Sequence, residues 1–245
     1  MPGPELSLIL PFYNEGACLS ESLQTLLATL ARIQPEFELI CVDDGSSDDS
    51  AEIATAIARN NPRIQSISTS KNLGKGAAIQ RGIQVAEGRW IATIDADLST
   101  DLEAVLPLAL EKLQQGAALV IGNRRLPAST IKERQPFVRE FLGRSFGLLA
   151  GLSVGGLISD YTCGFKAYRN DAARRIFTDL ETARWAFDVE LIAIARSLGL
   201  RIEQLPVIWA HRSDTRVRLP GDAFQAFVDV IRIGWNFRTG GYRQP

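Results

Sequence analysis

The sequence predicts one α/β domain, with a mostly parallel β-sheet flanked by helices. Its first half alternates short, β-rich apolar segments with amphipathic helical segments, which is the pattern of βα units in a parallel sheet. A length of 245 residues, with 46% hydrophobic and 22% charged residues, is typical of a globular domain. The chain has no internal repeat and no linker-like segment, so we expect a single domain over residues 1–245.

The elements of the first half follow in order. Apolar segments predict strands at residues 6–10, 37–42, 64–68, 90–94 and 118–121. The helix after the first strand carries an apolar stripe formed by Leu19, Leu23, Leu26, Leu27, Leu30 and Ile33. The second helix follows DDGSSDDS, whose acids and serines favour a helix start. A third helix is predicted at residues 77–86, after the loop KNLGKG.

The regular alternation ends after residue 121. One further strand is predicted at residues 164–168, and one amphipathic helix at residues 187–198. The N-terminal segment lacks the basic start of a signal peptide. The longest weakly polar stretch, residues 147–158, is shorter than the ~20 residues that a membrane-spanning helix needs. We therefore expect no membrane-spanning segment.

Charge divides the chain into two halves. Residues 1–110 contain 7 Lys and Arg against 15 Asp and Glu, a net charge of −8, whereas residues 111–245 contain 20 against 13, a net charge of +7. The overall net charge of −1 does not favour nucleic acid as a partner. Three widely spaced cysteines favour reduced thiols in a cytoplasmic protein over a disulfide framework or a zinc site.

Polar segments follow four of the predicted strands. They are Asn14-Glu15, Asp43-Asp44, residues 71–76 and residues 95–97. In open α/β sheets, ligands bind outside the carboxyl ends of the strands. We therefore predict a ligand site at this edge of the sheet.

Asp95 and Asp97 are the sharpest candidates at this edge. Two carboxylates one residue apart, just past a buried strand, can bind one Mg²⁺ or Mn²⁺ ion together with the phosphates of a substrate. The natural ligand would then be a diphosphate. The alternative is a helix cap, in which Asp97, Ser99 and Thr100 start the helix that contains Leu102.

Asp43 and Asp44 also leave a buried strand directly. Their carboxylates can accept hydrogen bonds from a base or from ribose hydroxyls. Lys75 lies beside the glycines of KNLGKG, where a strand-to-helix turn suits the approach of phosphate. Each feature has a structural alternative, which is helix capping for the acidic segment and a plain turn for the glycines.

Seven segments follow one another along the chain: LILPFYNE, VDDGSSDDS, NLGKGAAIQRGI, IDADLSTD, DYTCGFKAYR, WAFDVELIAIARSLG and LPVIWAHRSDTRVRL. Together they resemble glycosyltransferase family 2, and they are most similar to its dolichyl-phosphate or polyprenyl-phosphate glucosyltransferase branch. The resemblance implies a GT-A fold, a nucleotide-sugar donor such as UDP-glucose, a divalent metal at Asp95 and Asp97, and inverting transfer. Residues 1–120 would bind the nucleotide sugar, and residues 121–245 the acceptor.

The resemblance also implies roles for individual residues. The expected nucleotide-sugar contacts are Pro11, Tyr13, Glu15, Asp43, Asp44, Asn72, Lys75 and Asp95. The expected catalytic residues are Asp97 and Asp188. The reaction would be a direct displacement at the anomeric carbon, in which the metal offsets charge on the departing diphosphate. Asp188 would orient groups for a phosphate acceptor, which is already ionised, and would act as a general base for a hydroxyl acceptor.

A basic segment favours a lipid phosphate as the acceptor. Residues 124–144 contain two acids and six basic residues, which are Arg124, Arg125, Lys132, Arg134, Arg139 and Arg144. Guanidinium groups suit a phosphate, and the apolar residues 146–158 suit an isoprenoid chain. We expect the acceptor phosphate to contact Arg124, Arg139, Arg144 and Lys166, and the protein to attach peripherally to the cytoplasmic face of a membrane. A solvated surface is the alternative for any single residue.

The C-terminal stretch, residues 223–237, is also amphipathic. Its apolar face contains Phe224, Phe227, Val228, Ile231 and Trp235. We expect this face to pack onto the domain, and an interfacial membrane helix is the alternative.

Three other functions fit parts of the sequence. DADLST approximates the strand-end motif of a haloacid dehalogenase-type phosphohydrolase, with Asp95 as nucleophile and Asp97 as acid and base, although that motif normally opens its domain. A nucleotide-sugar binding module without catalysis is the second. A family 2 enzyme acting on a hydroxyl group of a glycan or lipid is the third.

Overall fold

A computed structural model describes residues 3–34, 36–156, 158–211 and 221–242, and the side chains of residues 139 and 221–224 lie outside this description. The strands are β1 (Leu6–Phe12), β2 (Phe37–Asp43), β3 (Ile64–Ser68), β4 (Trp90–Thr93), β5 (Leu119–Asn123), β6 (Thr130–Glu133), β7 (Lys166–Arg169), β8 (Ile202–Pro206) and β9 (Ile208–Ala210). The helices are α1 (Gly16–Ile33), α2 (Ser50–Arg59), α3 (Lys75–Val85), α4 (Leu102–Gln114), α5 (Phe137–Val154), α6 (Asn170–Thr178), α7 (Phe187–Ser197) and α8 (Gly221–Thr239).

Seven strands form one mixed sheet in the order β3-β2-β1-β4-β7-β5-β8. Strand β7 runs antiparallel to both of its neighbours, and the other pairs are parallel. A small second sheet pairs β6 with β9. The predicted α/β fold, with a mostly parallel sheet and flanking helices, is confirmed. The strand order reverses between β1 and β4, and this is the position where open sheets of this kind form a crevice for a ligand.

The sheet is covered on both faces, as the apolar character of its central strands requires. Alternate residues of β1 point to opposite sides. Leu8 and Leu10 pack in the layer formed with α1 and α4. Ile9 packs in the other layer, against Ile79 and Ile83 of α3. The rigid sheet thus fixes the loops that leave its carboxyl edge.

The prediction that the apolar face of the C-terminal helix packs onto the domain is wrong, because α8 packs through a different face. The residues of α8 that pack inward are Ala226, Val230 and Ile233. Those expected to pack inward are exposed instead, with Phe227 at 37%, Val228 at 45%, Ile231 at 64% and Trp235 at 70%, and the side chain of Phe224 lies outside the described residues. The reason is that small residues let the helix backbone approach closely, because Gly234 lies directly against Ser153 of α5.

In the part of the chain that the structure describes, no helix combines the length and the apolar character needed to cross a bilayer.

Candidate active site

The carboxyl ends of β1, β2 and β4 open into one cavity of about 1800 Å³. Many of the predicted site residues line it: Pro11, Tyr13, Glu15, Asp44, Asn72, Lys75, Asp95, Asp97, Arg124, Arg144 and Asp188. Asp43 and Lys166 are each only 2% exposed and are held inside the protein. The side chain of Arg139 lies outside the described residues. The fold therefore brings together residues that are distant in the sequence.

Residues 95–98 form a tight turn directly after β4. Leu98 N donates to Asp95 O at 3.0 Å. Leu98 has a φ of 49°, in the left-handed region, which costs energy for a residue other than glycine. Asp97 Oδ1 accepts from Ser99 N at 2.9 Å. The strained turn places the carboxyl groups of Asp95 and Asp97 on the lining of the cavity.

The helix-cap alternative for Asp97 is wrong. The N-cap of α4 is Asp101, whose side chain accepts from Ala104 N at 3.2 Å. In the described part of the chain, no group of three or more His, Cys, Asp or Glu side chains could hold a metal ion. A site with two carboxylates fits an ion that takes its other ligands from substrate oxygens and water.

Lys75 is paired with Asp95 in the centre of the site, where its Nζ donates to Asp95 Oδ1. Burial disfavours the charged form of Lys75, but Asp95 and Asp188 outweigh this effect and raise the pKa of the ammonium. Burial likewise acts to raise the pKa of Asp95, but Lys75 outweighs it and the pKa is lowered. Asp95 is therefore ionised at neutral pH, which is the form that binds a metal.

Asp188, in the first turn of α7, is paired with Lys166 of β7. Lys166 Nζ lies 2.6 Å from Asp188 Oδ1, and the two side chains are 3% and 7% exposed. Lys166 also donates to Cys163 O at 2.8 Å. Burial raises the pKa of Asp188, and Lys166 and Lys75 oppose the rise. The ammonium of Lys166 is thus engaged by a carboxylate and a carbonyl inside the protein.

Asp44 connects the loop after β2 to the loop after β3. Its Oδ1 and Oδ2 accept from Leu73 N and Gly74 N, both at 2.8 Å. Burial raises the pKa of Asp44, and these two backbone hydrogen bonds oppose the rise. Asp43 Oδ1 accepts from Ser46 N at 2.9 Å. Both acids hold loop structure, and Asp44 in addition lines the cavity.

The N-terminus of α3 is occupied by the protein itself. Gly76 N and Ala77 N donate to Ala183 O at 2.8 and 3.3 Å. Gly74 has a φ of 109°, and a Cβ there would collide with the same carbonyl. Because Asp44 takes two further N–H groups of this loop, the glycines form a turn that holds neighbouring segments rather than an open phosphate cradle. Lys75 supplies the positive charge at this point.

Asn14 links the loops that follow β1 and β2. Its Oδ1 accepts from Ser47 N at 2.7 Å, and its own N donates to Ser46 Oγ at 2.8 Å. Asn14 has a φ of 56°, which asparagine tolerates better than most residues. This link places Tyr13 and Glu15, on either side of it, on the cavity lining.

Arg124 and Arg144 line the cavity in different ways. Arg124 Nε and Nη2 each lie 2.7 Å from the carboxylate of Asp160, which is 1% exposed. The guanidinium of Arg124 also lies 5.4 Å from the ring centroid of Trp209. Arg144 is 68% exposed and donates to Glu140 at 2.6 Å. Arg124 is therefore fixed in place, whereas Arg144 is accessible from solvent.

The model of "Glycosyl transferase family 2" matches residues 7–177, which is more than half of the chain. The chain belongs to glycosyl transferase family 2. The haloacid dehalogenase alternative is therefore wrong, because DADLST lies inside the matched region. The chain is a glycosyltransferase, so the alternative of a binding module without catalysis is wrong as well.

Relatives of this family 2 enzyme match over nearly its whole length. Dolichyl-phosphate beta-glucosyltransferase ALG5C of Trichomonas vaginalis is 34% identical, over 96% of this chain and 72% of the relative. Human dolichyl-phosphate beta-glucosyltransferase is 32% identical, over 99% of this chain and 78% of the relative. Glycosyltransferase AglD of Haloferax volcanii is 30% identical, over 95% of this chain and 37% of the relative. The resemblance to the dolichyl-phosphate glucosyltransferase branch is confirmed.

The fold is that of GT-A glycosyltransferases. Glucosyl-3-phosphoglycerate synthase from Mycobacterium tuberculosis, in complex with UDP, superposes with a TM-score of 0.67. It is 22% identical, and the match covers 95% of this chain and 81% of the synthase. The same synthase in complex with Mn²⁺, UDP-glucose and phosphoglyceric acid has a TM-score of 0.68 at 22% identity. This match covers 95% of this chain and 80% of the synthase.

Sequence reasoning missed three residues of this family 2 enzyme. Asp160 is buried as the partner of Arg124, which lines the cavity. Arg184 and Trp185 line the cavity, and Trp185 is 42% exposed. A tryptophan in a polar segment just before a helix was the available signal, because large aromatic residues on a surface often mark a contact. Asp160 gave no such signal, since its partner lies 36 residues away in the chain.

Proposed function

We propose that this enzyme transfers glucose from UDP-glucose to a polyprenyl or dolichyl phosphate, with inversion at the anomeric carbon. The transfer would depend on Mg²⁺ or Mn²⁺ and take place at the cytoplasmic face of a membrane. Residues 1–120 would bind the donor, and residues 121–245 the acceptor. The observation that carries the proposal is one cavity that extends from the Asp95–Asp97 turn to the basic and apolar helix α5. The names of the relatives agree with this acceptor.

Asp95 and Asp97 would hold the metal ion. Carboxylate oxygens are hard ligands, which suit Mg²⁺ and Mn²⁺. A bound ion supplies positive charge that stabilises the departing diphosphate. Lys75, already paired with Asp95, adds a fixed positive charge at the same place. The Mn²⁺, UDP and UDP-glucose complexes of the synthase support this assignment of metal and donor.

The acceptor phosphate would act as the nucleophile without a general base. A phosphate monoester is already ionised at pH 7. Its oxygen forms a bond to the anomeric carbon while the bond from that carbon to the diphosphate breaks, and UDP leaves with the electron pair. Asp188 would orient the reacting groups, and Lys166 would hold Asp188 in position through their 2.6 Å contact. Arg124, Arg139 and Arg144 are the proposed acceptor contacts.

A hydroxyl acceptor is the second candidate. It is favoured by the position of Asp188, which is buried yet lines the cavity, and burial there raises the pKa of its carboxyl group. A carboxylate with a raised pKa is a better general base, as deprotonation of a hydroxyl requires. In that case Asp188 would be the base.

Labelled donor and two matched lipids would test the proposal. The protein is incubated with Mn²⁺, labelled UDP-glucose and either polyprenyl phosphate or the free polyprenol. We expect label in the organic phase only with the phosphate, and a β-linked product by NMR. Transfer only to the polyprenol would overturn the proposal in favour of a hydroxyl acceptor, and equal transfer in excess EDTA would overturn the metal assignment.

A pair of isosteric variants would test the metal ligand directly. Asp97→Asn should abolish Mn²⁺-dependent binding of the donor with little change in Tm, because this carboxylate faces the cavity and not the core. Asp49→Asn, an exposed acid at the N-cap of α2, is the matched control and should bind donor normally. Normal metal-dependent binding by Asp97→Asn would contradict the assignment.

A further inference from the structure

Helices α5 and α8 present large apolar side chains to solvent. On α5 these are Phe137, Phe141, Leu148 and Leu152, which are 81%, 60%, 67% and 66% exposed. On α8 they include Ile231 and Trp235, at 64% and 70%. Their spacings of 4, 7 and 4 residues on α5, and of 4 on α8, place each set on one side of its helix. We call these six residues the α5/α8 face.

The two helices form one unit beneath this face. Phe146 of α5 contacts Phe227 of α8 edge-on, with ring centroids 6.4 Å apart. Other residues, such as Val154 and Val230, bury the inner sides of the helices in the core. The six exposed side chains of the α5/α8 face therefore do not contribute to the hydrophobic core. Large apolar side chains exposed together on neighbouring helices mark an interaction site.

Exposed basic side chains border the α5/α8 face on both helices. Arg144 of α5 is 68% exposed, and its ion-pair partner Glu140 is 35% exposed. Arg232 of α8 is 47% exposed, whereas its partner Asp229 is 13% exposed. Aromatic and leucine side chains next to basic groups are the composition of helices that lie in the interface of an anionic bilayer. A protein partner would not require this border of positive charge.

The same helices line the catalytic cavity. Val138 and Leu142 of α5, and Phe227 of α8, line it and are 66%, 37% and 37% exposed. The cavity therefore opens beside the α5/α8 face. A bilayer on this face would lie next to the opening, where the phosphate of a membrane-embedded lipid could enter.

We propose that the α5/α8 face binds the surface of an anionic lipid bilayer and turns the cavity opening toward it. Only one part of this inference rests on the proposed function, namely that a lipid phosphate acceptor enters the cavity from the bilayer. Binding to the bilayer itself depends on the exposed apolar residues and their basic border, whatever the reaction.

Vesicle sedimentation with the full chain would test the face. Vesicles of phosphatidylcholine with phosphatidylglycerol should bind the wild type more tightly than phosphatidylcholine alone, and rising salt should weaken binding. The double variant Ile231→Ser/Trp235→Ser should bind about tenfold more weakly, since it removes two inserted side chains. Leu108→Ser is the matched control, because Leu108 is 45% exposed on α4, away from this face, and its loss should leave binding unchanged.

Fluorescence provides a second measurement that does not depend on a destabilising variant. Brominated lipids should quench the tryptophan emission of the wild type, and Trp235→Phe should bind vesicles normally but lose most of that quenching. Normal vesicle binding by the double variant, or quenching that persists in Trp235→Phe, would overturn the proposal. A wild-type dimer in sedimentation that the double variant dissociates would overturn it in favour of a second copy of the chain.

Transfer assays separate this inference from the proposed function. The double variant should glucosylate a water-soluble, short-chain isoprenyl phosphate at the wild-type rate, but lose transfer to long-chain polyprenyl phosphate in vesicles. Equal loss with both acceptors would overturn the docking role. If the wild type glucosylates neither acceptor yet binds vesicles through this face, the proposed function fails and the docking surface stands.

Discussion

The carboxylate of Asp95 lies directly against the Cα of Gly164, with no space for a side chain between them. The contact arises because β7 pairs antiparallel with β4, with Lys166 opposite Thr93. This pairing brings residues 163–166 next to the turn of residues 95–98 that follows β4. Gly164 is thus a positioning residue for a proposed metal ligand, although it is 69 residues away in the sequence.

Gly164→Ala should disrupt the metal site while leaving the fold in place. The added methyl group would overlap the carboxyl atoms of Asp95, which must then move from its position. We expect Mn²⁺-dependent binding of UDP-glucose, measured by calorimetry, to fall by at least about tenfold, which corresponds to ~1.4 kcal/mol. Gly151→Ala is the control, because a Cβ there meets nothing closer than 3.9 Å. Equal donor affinity in the two variants would contradict the positioning role.

Asp160→Asn should destabilise the protein in a way that depends on pH. Burial acts to raise the pKa of Asp160, but Arg124 outweighs it and the pKa lies below the usual 3.8. The stabilisation is therefore complete above about pH 3.8 and is lost as pH falls through the lower, folded-state pKa. At pH 7 the variant leaves Arg124, whose side chain is only 19% exposed, without its charged partner, at a cost of up to about 3–5 kcal/mol.

Urea unfolding between pH 7 and pH 3 would measure this effect. The difference between wild type and Asp160→Asn should shrink toward the acidic end. Asp171→Asn is the matched control, because Asp171 is 63% exposed and pairs with Arg169 at 2.6 Å on the surface. Such a pair contributes only about 0–1 kcal/mol. A difference for Asp160→Asn that stays constant across the pH range would contradict the assignment.

The first half of the fold could be predicted because each of its elements is encoded locally. Strands β1 to β5 are short apolar segments, and the helices between them carry regular apolar stripes. Helix α5 was missed because four glycines fall in residues 143–155, where they lower helix propensity and hide the periodicity. The short strands β6, β8 and β9 depend on pairing with distant segments, as in the register of Ile208 with Thr130.

The site could be predicted as a set of residues but not as a set of contacts. Strand-end position alone indicated Asp44, Asp95 and Asp97. Sequence could not indicate that Asp44 is hydrogen-bonded by Leu73 and Gly74, because those bonds depend on how two loops meet. For the same reason, the burial of Lys166 against Asp188 could not be predicted, since β7 and α7 are brought together only by the sheet.

Asp44→Ala should weaken binding of UDP and of UDP-glucose by the same factor. The substitution removes a proposed contact to the nucleoside, which both ligands share. It also leaves the N–H groups of Leu73 and Gly74 without acceptors, at about 1–3 kcal/mol for each unsatisfied group. Asp44→Asn, which keeps one acceptor oxygen, should be intermediate in Tm. Unchanged affinity for UDP by calorimetry would remove Asp44 from the donor site.

The double variant Arg139→Ala/Arg144→Ala should separate the acceptor from the donor. Arg144 is exposed and lines the cavity, so its guanidinium can reach a phosphate there without breaking a core contact. Losing a charge-assisted hydrogen bond costs ~1.5–3 kcal/mol, so we expect KM for polyprenyl phosphate to rise by about tenfold or more. Hydrolysis of UDP-glucose without acceptor should be unchanged, because the proposed donor contacts follow strands β1 to β4, whereas both arginines belong to α5. Arg144→Lys, which keeps the charge but loses the two-pronged geometry, should recover part of the affinity. Arg59→Ala, an exposed arginine on α2, is the control for a lost surface charge. A normal KM for polyprenyl phosphate in the double variant would remove both arginines from the acceptor site.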